Sequence, residues 1–501
     1  MAVTRREDST YLNLPHKGQL LMILICRLTE PVLYSSISPY LYYMVRDFGY
    51  KNPSTISELS TVVVTSFALG QTLTAMFWGR FSDKYGRKPA LMLGSLGTLS
   101  MTLLFGLSTN IYMAALSRFA CGLLNGNVGV MRTMVAEIMH GKKVHQTRAF
   151  ALLPMARNIG TILGPIIGGL LANPSEQYPS LFGSSKLFQK FPYLLPNLVP
   201  IPLALFAVFM VSLFIKETGE SRHLLLDVRT DPFLRLGRAL KTKVFRMNDD
   251  GEEEASESEP LLNDTESSSS QPQAPPQEET DTSLGKVLTK AVKTTLICNV
   301  LLTLHAPAFL QLFSLFLATP RIDQHVRNTF VFNGGLGLPT STIGLISSIM
   351  AVIGIVVQVA IYPTIANRFG NARVHQLALY GFPVGYSIIP YLSFLPEAET
   401  VISVAASAAV SGVWVISRSF AVPPMTVLMT NAAHSKKVMG TVHGINQAAT
   451  SAARTLGPFI LGNLYSLGVK VGVIGLAWWV MTFVVIIEIL FASQLKEWGE
   501  E

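Results

Sequence analysis

The chain runs to 501 residues, of which 49% are apolar and only 14% charged, with a formal net charge of +8. A soluble domain carries roughly 25% charged residues, so this composition excludes a chain that faces water over most of its surface. A positive balance can mark nucleic-acid binding, but here the charges sit in short loops between long apolar blocks, which argues against it.

Each apolar block matches the roughly 20 residues a helix needs to cross about 30 Å of hydrocarbon. Residues 1–18 form a polar tail with Arg5, Arg6 and Lys17. The run at 19–45 is too long for a signal-peptide core and contains Arg27 and Glu30, so it reads as a retained first helix. Further spans are predicted at 58–78, 89–109, 111–136, 149–171 and 193–215, then at 294–318, 341–363, 374–395, 400–429, 441–465 and 472–493. The tenth is long enough to tilt. Twelve spans place both termini on one side. Lysine and arginine number fifteen in the short loops and tails of that side against seven on the other, which makes it cytosolic.

Residues 216–293 form a cytosolic linker between a first bundle at 19–215 and a second at 294–493, with a short tail at 494–501. Within the linker, 222–246 mixes basic and apolar residues, as a helix lying on the membrane surface does. The stretch 249–279 has no Lys or Arg and is rich in Glu, Ser, Pro and Gln, too polar to fold alone. In it, Glu257 with Leu261 and Leu262 resembles an acidic dileucine sorting signal, leaving a vacuolar or endolysosomal membrane and the plasma membrane both open. Cys26, Cys121 and Cys298 lie in apolar segments and suit packing, not a disulfide framework or metal site.

The second half echoes the first. His140-Gly141-Lys142-Lys143-Val144 after span four returns as His434-Ser435-Lys436-Lys437-Val438 after span ten, 294 residues on. Gly164-Pro165 with Gly169 in span five returns as Gly457-Pro458 with Gly462 in span eleven, 293 residues on. The loop from Gly79 to Arg87 returns in decayed form from Pro363 to Gly370, keeping Asn367, Arg368 and Gly370.

Two parallel six-helix halves are the plan of the major facilitator superfamily, and Trp78 to Pro89 (WGRFSDKYGRKP) closely resembles its signature loop. The fold expected is therefore all-α, with two pseudo-symmetric six-helix bundles, twelve transmembrane helices and cytosolic termini. Gly79 and Gly86 are expected to permit the tight turn, Asp83 to accept from a helix N-terminus, and Arg87 to pair with Glu137. With Lys84 and Lys88 these form a cytosolic gate motif that the resemblance implies latches the outward-open state. A purely topological role is the alternative. Gly160, Gly164, Pro165, Gly168 and Gly169 resemble the motif of proton antiporters in this superfamily, and also describe a close packing face.

Charges inside spans are functional by default. Arg27 and Glu30, three apart, share one helical face. Desolvation opposes the Glu30 charge and a nearby arginine favours it, which suits either a proton carrier or a permanent structural pair. Arg118, opening an Arg-x-x-x-Gly pattern with Gly122, resembles a signature arginine implicated in proton transfer. Arg132, Arg157, Arg418 and Arg454 lie in or near spans, His305 and His443 suit satisfied core groups with substrate or proton binding as the alternative, and Tyr34 and Tyr40 are placed on the cavity.

The resemblance implies proton-coupled export of a small organic molecule (drug, metabolite or chelate), nearest to the twelve-span drug:proton antiporter branch. Some likeness extends to zinc-induced-facilitator-like members. Uptake or facilitated diffusion, and a transporter-like sensor signalling through the linker, are the alternatives. The expected partners are a substrate, protons and the bilayer, with no nucleic acid, and one chain suffices as the unit. No cofactor, metal or catalytic group is expected, and the proton gradient is the energy source; the chain shows no phosphate-binding loop or nucleophile–base pattern.

Overall fold

The computed structural model describes residues 16–139, 143–218, 234, 288–322, 328–395, 400–432 and 436–497. The predicted sorting signal at Glu257, Leu261 and Leu262, the polar stretch 249–279, and all of 222–246 except Leu234 lie outside the described residues.

In the first half the helices are α1 (Lys17–Ser35), α2 (Leu41–Asp47), α3 (Pro53–Tyr85), α4 (Arg87–Gly106), α5 (Ile111–Leu124), α6 (Asn127–Ile138) and α7 (Lys143–Leu171). Short turns then lead through Leu194–Leu198 into α8 (Pro200–Phe214). The second half has α9 (Lys290–Ala318), α10 (Thr340–Val356), α11 (Tyr362–Phe369), α12 (Asn371–Leu379), α13 (Gly381–Ile388), α14 (Thr400–Ala432), α15 (Lys436–Val471) and α16 (Leu476–Ala492). Every predicted span meets helix. Among the described residues, seven helical runs are long and apolar enough to cross a membrane by length and composition.

The departures have local causes. The span predicted at 19–45 is two helices, because α1 ends at Ser35 and the chain turns before α2. Asn52 accepts from Ser54 N at 3.0 Å, and Pro53 opens α3, so that helix starts five residues before its predicted boundary. Span four breaks between α5 and α6 at Asn125-Gly126, where a Cβ on Gly126 would lie 1.9 Å from the Trp78 ring. Between α10 and α11 a π-turn covers Val357–Ile361, just ahead of Pro363, whose ring removes a backbone donor. Gly79 does not make the cytosolic turn: it lies inside α3, and Gly86 alone there takes positive φ, 102°.

The antiporter-type glycines explain how the halves are built and joined. A Cβ at Gly160 would come within 2.2 Å of Leu28 O, at Gly164 within 2.0 Å of Ser35 Oγ, and at Gly168 within 1.7 Å of Ser36 O. These residues let α7 lie directly on α1. A Cβ at Gly169 would instead lie 2.3 Å from Gly344 Cα of α10, in the other half. The repeat follows the same rule. A Cβ at Gly457 would lie 2.0 Å from Leu304 O of α9, and one at Gly462 would lie 2.4 Å from Thr61 Oγ1 of α3, across the interface. In each half the first glycine of the repeated pair packs within its bundle, and the last packs against the opposite one. Apolar side chains such as Met76, Leu73, Phe483 and Leu490 stand more than 60% exposed on the outer surface, as lipid contact requires.

Candidate cytosolic hinge and central cleft

The loop between α3 and α4 organises the cytosolic end of the first half. Positive φ at Gly86 turns the chain, and a Cβ there would sit 2.6 Å from Glu217 Oε2. That carboxylate accepts from Arg87 N at 2.7 Å and Lys88 N at 3.0 Å, so Glu217, not Asp83, is the anion at the α4 N-terminus. Asp83 instead accepts from the Arg87 guanidinium, which also donates to Ser82 Oγ at 2.8 Å. Two further nitrogens of Arg87 donate to Glu137 Oε1, at 3.1 and 3.2 Å, and Thr218 Oγ1 donates to the other Glu137 oxygen at 2.5 Å. Lys88 is fully buried within this assembly, whereas Lys84 lies over the Tyr85 ring. All of these partners belong to the first half.

The second half has a counterpart. Gly370 takes φ 80°, and Glu497 Oε1 accepts from Ala372 N at 2.7 Å. Arg368 lies over the Phe369 ring and Asn367 is on α11. Glu217 and Glu497 each follow the last helix of their half and cap the helix after its turn.

Between the halves lies a cleft lined by Ser38, Thr161 and Pro165 from the first half and by Phe313, Trp414 and Arg418 from the second. On the side away from the termini the halves are joined. Ser54 Oγ donates to Ser466 O at 3.0 Å, Gln311 Nε2 to Thr61 Oγ1 at 3.0 Å, Gln177 Nε2 to Thr340 Oγ1 at 2.9 Å, and Tyr43 to Leu338 O. Among the described residues, the hydrogen bond that crosses near the cytosolic end is Arg132 to Gln447, 2.5 Å. With the cytosolic termini read from the loop charges, the cleft faces inward.

Arg418 lines it, and further arginines cluster beside it. Arg27, Arg132, Arg418 and Arg454, from four helices, all lie within electrostatic range of Arg157. Arg157 in turn lies within electrostatic range of the Tyr34 hydroxyl. Arg132 is exposed, and Arg157, Arg418 and Arg454 are half-buried although enclosed by helices, as groups lining an internal cleft are. Among the described residues, Glu30 is the one carboxylate within range of Arg27 and Arg157. It accepts from Arg27 Nη1 at 2.9 Å through Oε2, while Oε1 makes no hydrogen bond to a described residue. Arg118 stands apart from this pair, buried against the Phe67 and Phe105 rings at 4.8 and 5.8 Å. Tyr34 is half-buried beside Phe67. Tyr40, predicted on the cavity, is fully buried instead, stacked on Tyr193 and accepting from Asn197 Nδ2 at 2.8 Å. His443 is half-buried, 3.3 Å from Thr430 Oγ1.

Comparison with known proteins places this geometry. The Major Facilitator Superfamily model matches residues 23–458. The chain is 35% identical over 494 residues to the major facilitator superfamily multidrug transporter mfsB of Aspergillus fumigatus, covering 92% of this chain and 80% of that one. It is 29% identical over 458 residues to ZINC INDUCED FACILITATOR 1 of Arabidopsis thaliana, covering 89% and 84%. In structure it resembles a D-xylose-proton symporter with a TM-score of 0.66 at 13% identity, covering 97% and 99%, which speaks to the fold alone.

Proposed function

Because this chain belongs to the Major Facilitator Superfamily and is an integral multi-pass membrane transporter, we propose that it exports small organic molecules bearing an anionic group, in exchange for protons, by alternating access. The observation that carries this reading is the crowding of Arg27, Arg132, Arg157 and Arg454 beside the cleft, with Glu30 the one described carboxylate near them. Burying like charges together is unfavourable unless an anion joins them, so a substrate carboxylate, sulfonate or phosphate supplies the missing charge. Trp414 and Phe313 on the wall suit an apolar body attached to that group. Export is favoured by the antiporter-type glycines and by likeness to a multidrug transporter.

Glu30 is the proposed proton carrier. Arg27 stabilises its charged form, and a change of environment as the cleft alternates changes that balance. Both halves contribute to one cleft, so a single chain holds the whole site.

The test is flux in liposomes under an imposed pH gradient, with carboxyfluorescein as an anionic probe and a rhodamine ester as a cationic one. Gradient-driven movement of the anion is expected, lost in Glu30→Gln with binding retained. Unchanged flux in that variant removes the carrier role, and preference for the cation removes the substrate class.

A further inference from the structure

The second half holds a buried polar cluster remote from Glu30. Glu488 is fully buried on α16, whose other residues are almost all apolar. Its Oε2 lies 2.9 Å from His305 Nε2 on α9, and the other ring nitrogen of His305 lies 2.7 Å from the Tyr386 hydroxyl on α13. Trp414 Nε1 donates to that hydroxyl at 3.1 Å. On the opposite side, Glu488 Oε1 faces His375 Nε2 of α12 at 3.8 Å. His305, His375 and Tyr386 are fully buried as well.

Counting protons fixes most of this arrangement. Ala421 O, 3.0 Å from His375 Nδ1, can only accept, so Nδ1 carries the hydrogen. A neutral His375 therefore turns a bare lone pair on Nε2 towards Glu488. The Tyr386 oxygen accepts from Trp414, leaving its own hydrogen to donate to His305 Nδ1. His305 Nε2–H then donates to a Glu488 carboxylate. That leaves two acceptors facing each other, Glu488 Oε1 and His375 Nε2, both buried and neither hydrogen-bonded to a described residue. With Glu488 ionised and both imidazoles neutral, the cluster carries one negative charge. The other titratable or charged groups that face it, among the described residues, are Cys298 on α9 and, through Tyr386, Arg418 on α14. No described cation touches the carboxylate.

We infer that Glu488 and His375 form a proton-binding site in the second half, linked to the cleft wall through His305, Tyr386 and Trp414. One proton entering the gap converts two opposed lone pairs into a donor and an acceptor and removes the buried charge. Trp414 lines the cleft and also donates into the chain, so occupancy of the cleft and occupancy of the proton site act on a shared side chain. This deepens the proton-coupled reading, yet its test needs no flux.

The experiment is infrared difference spectroscopy of the full chain in lipid, between about pH 5 and pH 8. A carbonyl band of a buried protonated carboxyl that survives Glu30→Gln is expected to appear on acidification and to be absent in Glu488→Gln. Absence of such a band in the unaltered chain, or its persistence in that variant, overturns the site. Should Glu488→Gln not fold, His375→Gln serves: it should move the midpoint by about one pH unit, tenfold in proton affinity, and an unmoved midpoint overturns the site. A titrating band in protein that shows no gradient-driven flux supports the site while removing the exchange reading.

Discussion

Adding one methyl group at Gly169 should push the protein towards its outward-open state. The Cβ of Gly169→Ala would lie 2.3 Å from Gly344 Cα, 2.7 Å from Gly344 N and 2.9 Å from Thr340 O. All three atoms are backbone, so no side-chain rotation relieves the contact. Overpacking of this kind costs about 1–3 kcal/mol. The cost applies only where the two halves touch at the extracellular end, so it acts on the conformational equilibrium. A bias of that size corresponds to about a 5- to 150-fold shift. Ser38→Cys provides the reporter, because Ser38 lines the cleft and the native Cys26, Cys121 and Cys298 are buried. Labelling from outside with a membrane-impermeant maleimide should accelerate accordingly. Gly160→Ala is the control: its clash, 2.2 Å from Leu28 O, lies inside the first half, so it should lower thermal stability without raising labelling. A folded Gly169→Ala protein that labels at the parent rate would refute the account of closure.

Glu217→Ala should destabilise the first half by about 1–3 kcal/mol, since two backbone donors lose their acceptor. Glu497→Ala should cost less, one such bond being at stake, and thermal melts of the double variant should show near-additive losses because the sites lie in separate halves. Arg27→Ala should cost about 3–5 kcal/mol by leaving Glu30 unpaired, and Arg27→Ala with Glu30→Gln should recover much of the lost melting temperature. Arg157→Gln should weaken carboxyfluorescein binding about tenfold, or about 1.4 kcal/mol, in equilibrium titrations, and flatten its salt dependence.

The spans were legible because crossing a bilayer demands a length and composition that no soluble helix needs. The internal repeat was legible because close helix packing admits only glycine at a few positions, and Gly164, Gly169, Gly457 and Gly462 keep their spacing. The π-turn was not. Apolar residues dominate Val357–Ile361, so only three-dimensional contacts reveal it, whereas the break at Asn125-Gly126 does carry a turn signal in its Asn-Gly pair. Glu217 and Glu497 resembled ordinary loop carboxylates, although Lys216-Glu217-Thr218-Gly219 and Lys496-Glu497-Trp498-Gly499 are a further echo, 280 residues apart. Glu488 carried a clear signal, a carboxylate within an otherwise apolar span, that went unused. Its partners His305 and His375 come from other helices, so no spacing in the chain announces the cluster.

The symmetry of the scaffold and the asymmetry of its chemistry together suggest how transport is driven. The joints that close the extracellular end are a few polar bonds and two glycine contacts. Each such hydrogen bond contributes about 0.5–1.5 kcal/mol, so closure is held by only a few kcal/mol. Reversing an equilibrium from 1:99 to 99:1 takes about 5.5 kcal/mol of differential binding, which on the proposed reading an anionic ligand and a proton supply between them. The glycines must be matched in both halves, because each half docks on the other in the same way. The ionisable groups need no such match. On the proposed reading, Glu30 beside the cleft in one half and the Glu488 cluster in the core of the other bind protons at two different parts of one two-state element.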